Sequence, residues 1–294
     1  MSLPQHAIVI VMPVYEDLEA SGRLFLELGQ QFGDRVFVVA VDDGSVRQPL
    51  SIENLSQHGV AGAVLKLRRN VGHQRAIAIG LSYAAEHLVP GQQVVVMDSD
   101  GEDLPSTIPA LLAQLDNPAV DVVVAQRKSR VETFRFKAFY QVYKRFFGVM
   151  TGRPISFGNF MALKPAAVKR LVSMQELPIH VAAAVLASKL RTDVCPLDRG
   201  PRYAGQSKMN FVGLALHGFK ALMVFAEDVL VRVGIASALI ATFAVVGSVA
   251  AVVLKLMGYS TPGWFPLVLG ILVLLFLQTA APALMTLMLT GAMR

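Results

Sequence analysis

Val94-Val95-Val96-Met97-Asp98-Ser99-Asp100-Gly101-Glu102-Asp103-Leu104-Pro105 is the stretch that decides how this 294-residue chain is read. Three β-branched residues and a methionine predict a short buried strand. That strand stops abruptly in carboxylates. A second apolar run, Val36 to Val41, stops the same way in Asp42-Asp43-Gly44-Ser45. Acids at a strand end lie on the edge of a sheet, where ligands of open α/β sheets gather.

Working outward, apolar runs recur at Ala7–Met12, Ala63–Leu67, Val120–Ala125 and Thr192–Leu197. Between them lie helical patterns, at Asp17–Phe32, His73–His87, Pro105–Leu115 and Pro178–Lys189. Strands alternating with helices predict a Rossmann-like, mostly parallel sheet with helices on both faces. The run Ala7–Met12 is short and lacks a basic leader, so a first buried strand is expected there and not a secretory signal. The single cysteine, Cys195, excludes an internal disulfide and a Cys-rich zinc site.

The chain is 54% apolar with a net charge of +6; its mean hydropathy is +0.51 and its pI about 9.5. The apolar excess sits in the tail. No charged residue occurs between Arg232 and Lys255, a gap long enough to span a bilayer. A second uncharged stretch has its core at Phe265–Leu289, and Gly258, Pro262 and Gly263 mark a turn between the two. The expected organisation is a catalytic domain at 1–208, juxtamembrane amphipathic helices at 209–232, and transmembrane helices at 233–257 and 264–290, forming a two-helix hairpin. Phe211 to Asp228 reads as one interfacial helix. Lys208, Lys220, Arg232 and Arg294 flank the spans on one side and Lys255 alone on the other, which predicts a cytoplasmic catalytic domain on a multi-pass protein of the inner (plasma) membrane. The basic and aromatic stretch Arg127–Arg153 suits a lipid-phosphate surface beside such an anchor better than nucleic acid, which is not expected as a partner.

Asp98 and Asp100 can approach one ligand from one strand end, and Glu102 can add another oxygen. Hard carboxylates of this kind favour Mg2+ or Mn2+ with phosphates as further ligands. Asp103, ahead of Pro105, is expected to cap the next helix. An acid at the end of the second strand can accept hydrogen bonds from a base or ribose. Tyr15, at the end of the first strand, offers a stacking face. In Asn70-Val71-Gly72-His73, Asn70 is a candidate helix cap and Gly72 permits close backbone approach.

Taken together these motifs resemble family 2 inverting glycosyltransferases of the GT-A fold. The closer resemblance is to polyprenyl-phosphate glycosyltransferases, the group that includes dolichyl-phosphate mannosyltransferase and bacterial undecaprenyl-phosphate glycosyltransferases. It rests on Met12-Pro13-Val14-Tyr15-Glu16, Val41-Asp42-Asp43-Gly44-Ser45, Asn70-Val71-Gly72, Met97 to Pro105, Arg202 to Lys208 and the paired spans with Pro262-Gly263-Trp264 between them. The resemblance implies that Pro13, Tyr15, Asp17, Val41 and Asp43 hold the nucleoside. It implies that Asp98, Ser99, Asp100 and Glu102 surround the metal and diphosphate. Arg127 and Arg202 would face the phosphates, with Ser207 and Lys208 ordering the loop beside them. Arginine suits bidentate phosphate contacts. A bilayer, a nucleotide-diphosphate sugar and a polyprenyl phosphate are the implied partners, and a homo-oligomer is compatible with paired bundles of spans.

One position departs from the pattern. Relatives usually carry Gly-Asp-Phe-Arg in the acceptor region, where this chain has Gly158-Asn159-Phe160-Met161. An asparagine is no general base, but a phosphate monoester is largely dianionic at pH 7 and already nucleophilic. The expected reaction is transfer of one sugar to the lipid phosphate with inversion. Arg130, Arg135 and Lys137 are candidates to gather the headgroup. Two rivals are a catalytically silent membrane scaffold and a processive polysaccharide synthase. The latter type carries Gln-x-x-Arg-Trp, whereas the one tryptophan here, Trp264, lies in the turn between the spans.

Overall fold

The computed structural model describes residues 6–127, 134–153, 157–205, 211–259 and 263–292. Its strands are β1 (Ile8–Val14), β2 (Val36–Asp42), β3 (Ala61–Lys66), β4 (Gln93–Val96), β5 (Val122–Arg127), β6 (Met161–Leu163) and β7 (Thr192–Leu197). Its helices are α1 (Leu18–Phe32), α2 (Glu53–Ser56), α3 (His73–His87), α4 (Ile108–Leu115), α5 (Phe134–Thr151), α6 (Pro165–Val172), α7 (Val181–Ala187), α8 (Phe211–Met223), α9 (Ala226–Leu256) and α10 (Trp264–Ala292).

The strands form one sheet in the order β3-β2-β1-β4-β6-β5-β7. All pairings are parallel except those of β6, which runs antiparallel between β4 and β5. Alternation along β1 divides the core. Ile8, Ile10 and Met12 pack with Leu24, Phe25 and Leu28 of α1 on one face. Val9 and Val11 pack with Ile77 and Leu81 of α3 on the other. Gly80 allows α3 to press on the sheet, because a Cβ there would lie 2.6 Å from Val11 Cγ1 and 2.9 Å from Val41 Cγ2. The two-faced parallel sheet anticipated from the sequence is therefore present. β6 was missed, since three residues give no readable period.

The helix expected over Phe211–Asp228 is two helices, broken at Val224 and Phe225. Both of these side chains are buried, and Phe225 leaves helical geometry to start α9. The compact unit that holds the sheet ends at Val224, and α9 with α10 belongs to a second unit. Within that second unit Ala241, Ala244 and Ala251 are buried along one stripe of α9, and Gly247 faces Leu272 of α10. Small residues let two helices approach closely. Both helices are long and apolar enough to cross a membrane, with mean hydropathy 2.3 in each. Their outer faces expose large apolar side chains such as Phe243 and Leu274, an arrangement stable in lipid and costly in water.

Within the first unit α8 is tied to α7 by two histidines. His180 Nδ1 accepts the Ala183 N–H, so Nε2 must carry the proton. It donates to His217 Nε2 at 3.0 Å. Burial first, then the neighbouring His217, pushes His180 down to about 3. Burial, with His73 and Lys220, pushes His217 down to about 4. An unfolded histidine protonates near 6.5. Both rings thus stabilise the fold fully above that pH, and the contribution is lost as pH falls towards their folded values. Thermal melts of the full-length protein in detergent should show the midpoint dropping between pH 6.5 and 4. His217→Gln, whose amide oxygen can still accept, should flatten that drop.

Candidate active site

The acids after β4 occupy the carboxyl edge of the sheet, as expected. Asp98 Oδ1 lies 3.1 Å from His73 Nε2. Asp100 is buried; its Oδ1 accepts the Glu102 N–H at 3.0 Å and its Oδ2 meets Arg202 Nη2 at 2.6 Å. Glu102 pairs closely with Arg199 and more loosely with Arg202, at 3.9 Å. Ser99 is buried on the same turn. Asp103 does not cap the following helix: its Oδ2 accepts the Asp98 N–H at 3.2 Å, because the amide just past the strand end needs an acceptor. Burial, followed by the Asp98 charge, pushes the Asp103 carboxyl up to about 7.

The loop after β7 is strapped across this turn. The Gly200 N–H donates to the Glu102 carbonyl and the Tyr203 N–H to the Asp100 carbonyl, each at 2.9 Å. Tyr203 stacks on Gly101, whose φ is +81°. Arg23 sits over the Tyr203 ring, 4.2 Å from its centroid, and the Tyr203 hydroxyl donates to Glu27. The strap is thereby anchored to α1.

The remaining candidates surround the ends of β1 and β2. Tyr15 is exposed and Pro13 and Asp17 half-buried. Val41 is fully buried against Gly80, within the ladders to β1 and β3. Asp43 is also buried; its carboxylate receives the Val71 N–H at 2.7 Å and the Gly72 N–H at 3.0 Å. Asn70 was the expected cap of this helix. Instead Gly72 stands at the helix start with φ 92° and no side-chain cap. Glu16, at φ 47°, gives its carboxylate to the backbone N–H groups of Val46, Arg47 and Gln48 at 2.7 to 3.0 Å. Those bonds hold its carboxyl below the usual range and fix the turn that carries Tyr15 and Asp17.

Asn159 precedes β6, whose Met161 is paired with Val96. Continuing that register puts Asn159 opposite Asp98. Its Nδ2 lies 3.3 Å from His73 Nε2. Ser207, Lys208 and Arg130, with the side chains of Arg127, Arg135 and Lys137, lie outside the described residues.

Residues 9–170 match the glycosyl transferase family 2 profile. The chain belongs to glycosyltransferase family 2. This family 2 enzyme is 26% identical over 281 residues to an uncharacterized glycosyltransferase of a Synechocystis species, covering 90% of this chain and 84% of that one. It is 26% identical over 219 residues to an undecaprenyl-phosphate 4-deoxy-4-formamido-L-arabinose transferase of an Enterobacter species. That second alignment covers 71% of this chain and 64% of the relative, under two thirds of its length. The fold is GT-A. Glucosyl-3-phosphoglycerate synthase of Mycobacterium tuberculosis, solved with Mn2+, UDP-glucose and phosphoglyceric acid, superposes with a TM-score of 0.53 at 15% identity, over 78% of this chain and 80% of that one.

Gln74 Oε1 accepts the Val181 N–H at 2.6 Å and its Nε2 donates to Asn159 Oδ1 at 3.4 Å. Four residues thus gain a place here that the sequence reading did not give them: Glu16, His73, Gln74 and Arg199. Glu16 was quoted within a motif, but its left-handed backbone has no sequence signal. Arg199 stands three residues before Arg202, and that spacing within one loop was the available clue. A Cβ on Gly101 would fall 2.2 Å from the Tyr203 ring. Gly101→Ala should therefore lower stability by about 1–3 kcal/mol, read as a fall in the thermal midpoint.

Proposed function

We propose that this enzyme transfers one sugar from a nucleoside-diphosphate sugar to a polyprenyl phosphate at the cytoplasmic face of the membrane, with inversion. The observation that carries the reading is the pairing of Asp100 and Glu102 with Arg199 and Arg202 at the sheet edge, in a chain that also has two membrane-length helices. The name of the Enterobacter relative, an undecaprenyl-phosphate sugar transferase, supports the acceptor class.

Asp98, Asp100 and Glu102 are hard oxygen donors on one turn, and that chemistry fits Mg2+ or Mn2+. Among the described residues they are not gathered into a ligand cluster; arginines hold two of the three. When bound, the ion would neutralise the departing diphosphate. The chain's own contribution is positional and electrostatic. Arg199 and Arg202 supply cationic donors beside the leaving group. Tyr15 and Asp17, set by the Glu16 turn, frame the nucleoside. An oxygen of the acceptor phosphate forms the new bond to the anomeric carbon as the bond to the diphosphate oxygen breaks. The acceptor is a dianion, so no proton has to be removed first.

The test is a panel of radiolabelled nucleotide sugars with polyprenyl phosphate and Mn2+, scored by sugar extracted into organic solvent. Transfer from one donor is expected. Asp100→Asn should reduce it by about 10³-fold or more. Sugar that stays in water with every donor would favour the silent scaffold.

A further inference from the structure

Arg202 is the cation paired with the buried Asp100, and part of what holds it there lies outside the acid turn. Arg202 Nη2 sits 2.6 Å from Asp100 Oδ2. The next residue, Tyr203, donates its N–H to the Asp100 carbonyl at 2.9 Å. Consecutive Cα atoms are fixed about 3.8 Å apart, so the seat of Tyr203 sets where the Arg202 side chain starts. Three contacts make that seat. The ring lies on Gly101, which has no Cβ to push it away. The Arg23 guanidinium lies over the ring. The hydroxyl donates to the Glu27 carboxylate, which can only accept. Arg23 and Glu27 are one turn apart on α1 and pair with each other at 3.4 Å. That pair is exposed and adds little stability by itself; it aims both groups at one ring. Leu24, Phe25 and Leu28 fix α1 to the core beneath. The strap thus has two attachments. Arg199 and the Gly200 N–H bind it at Glu102; Arg202 and Tyr203 bind it at Asp100, and this second attachment reaches α1.

We propose that Tyr203, latched to α1 by Glu27 and Arg23, is a positioning residue for Arg202: it keeps that guanidinium concentrated at the acid turn, where it pairs with Asp100 before substrate arrives and with the donor diphosphate afterwards. The proposal rests on the reading above and deepens it at the donor side. A tethered group acts through its effective concentration, which falls when the tether loosens. Beside Asp100, Arg202 competes with a divalent cation for one carboxylate. Loosening Tyr203 weakens that competition, so the cation alone binds more tightly. Beside a diphosphate, Arg202 is an attractive partner. Loosening Tyr203 weakens that attraction, so a nucleoside diphosphate binds less tightly. The two affinities move in opposite directions. A residue that served only to shape the acid turn would weaken both together.

The test uses the full-length protein in detergent. Tyr203→Phe removes the hydroxyl and keeps the ring on Gly101. Glu27→Ala removes the acceptor, whereas Glu27→Gln keeps an oxygen that can accept. Mn2+ alone is titrated with the free ion followed by electron paramagnetic resonance. Whichever of UDP, GDP or dTDP stabilises the wild type most is then titrated by calorimetry in saturating Mn2+. Tyr203→Phe and Glu27→Ala are each expected to tighten Mn2+ by about three- to tenfold and to weaken the nucleotide by a similar factor. Glu27→Gln should stay close to the wild type, and the double variant Tyr203→Phe/Glu27→Ala should match either single one. In an Arg202→Gln background, Tyr203→Phe should move neither affinity. Unchanged affinities in Tyr203→Phe and Glu27→Ala, a fall in both, or a change in one alone overturn the proposal and leave the function standing. An effect of Tyr203→Phe that persists without Arg202 overturns it too. A wild type that binds neither Mn2+ nor any of the nucleotides sinks the reading of the donor site, and the latch with it.

Discussion

Asp98, Asp100, Glu102 and Asp103 crowd four carboxyl groups onto one turn, and the site is organised around relieving that repulsion. Asp100 is buried, so leaving its charge unpaired would cost several kcal/mol. Arg202 answers Asp100, Arg199 answers Glu102, and burial pushes the Asp103 carboxyl up to about 7, which weakens its charge. The strap after β7 docks where it does because those guanidinium groups must reach the acids. The stacking of Tyr203 on Gly101, and of Arg23 on Tyr203, follows from that docking.

On the proposed reading, the arginines have two possible partners, the acid turn and a diphosphate. A bound divalent ion would compete with them for the carboxylates. Ligand binding at this edge is then an exchange of ionic partners within a preformed frame. Asp43 and Glu16 build that frame in a different way. Each carboxylate is used up on backbone amides, two in one case and three in the other. They hold loops in place and leave the Tyr15 side chain exposed.

The sheet was legible because valine-rich runs and Ala-rich helices alternate without ambiguity, and the acids at two strand ends located the site. What escaped was set by tertiary structure. β6 is three residues long and is a strand by virtue of its neighbours. Asp103 and Asn70 were both read as helix caps from local sequence, yet the amides in question belong to Asp98 and to the Asp43 carboxylate's reach. Gln74 looked like an ordinary helical residue, and its part emerges only from Val181, more than a hundred positions away. The single long helix over Phe211–Asp228 fails at two buried residues whose burial no periodicity announces.

The reversed direction of β6 has a consequence for precision. Asn159 runs in just ahead of a strand that is held by three register pairs to β4 and three to β5. A one-residue slip of that short ladder would turn its side chains to the opposite face of the sheet. Asn159 would then lose its place beside His73 while the acidic turn stayed where it is.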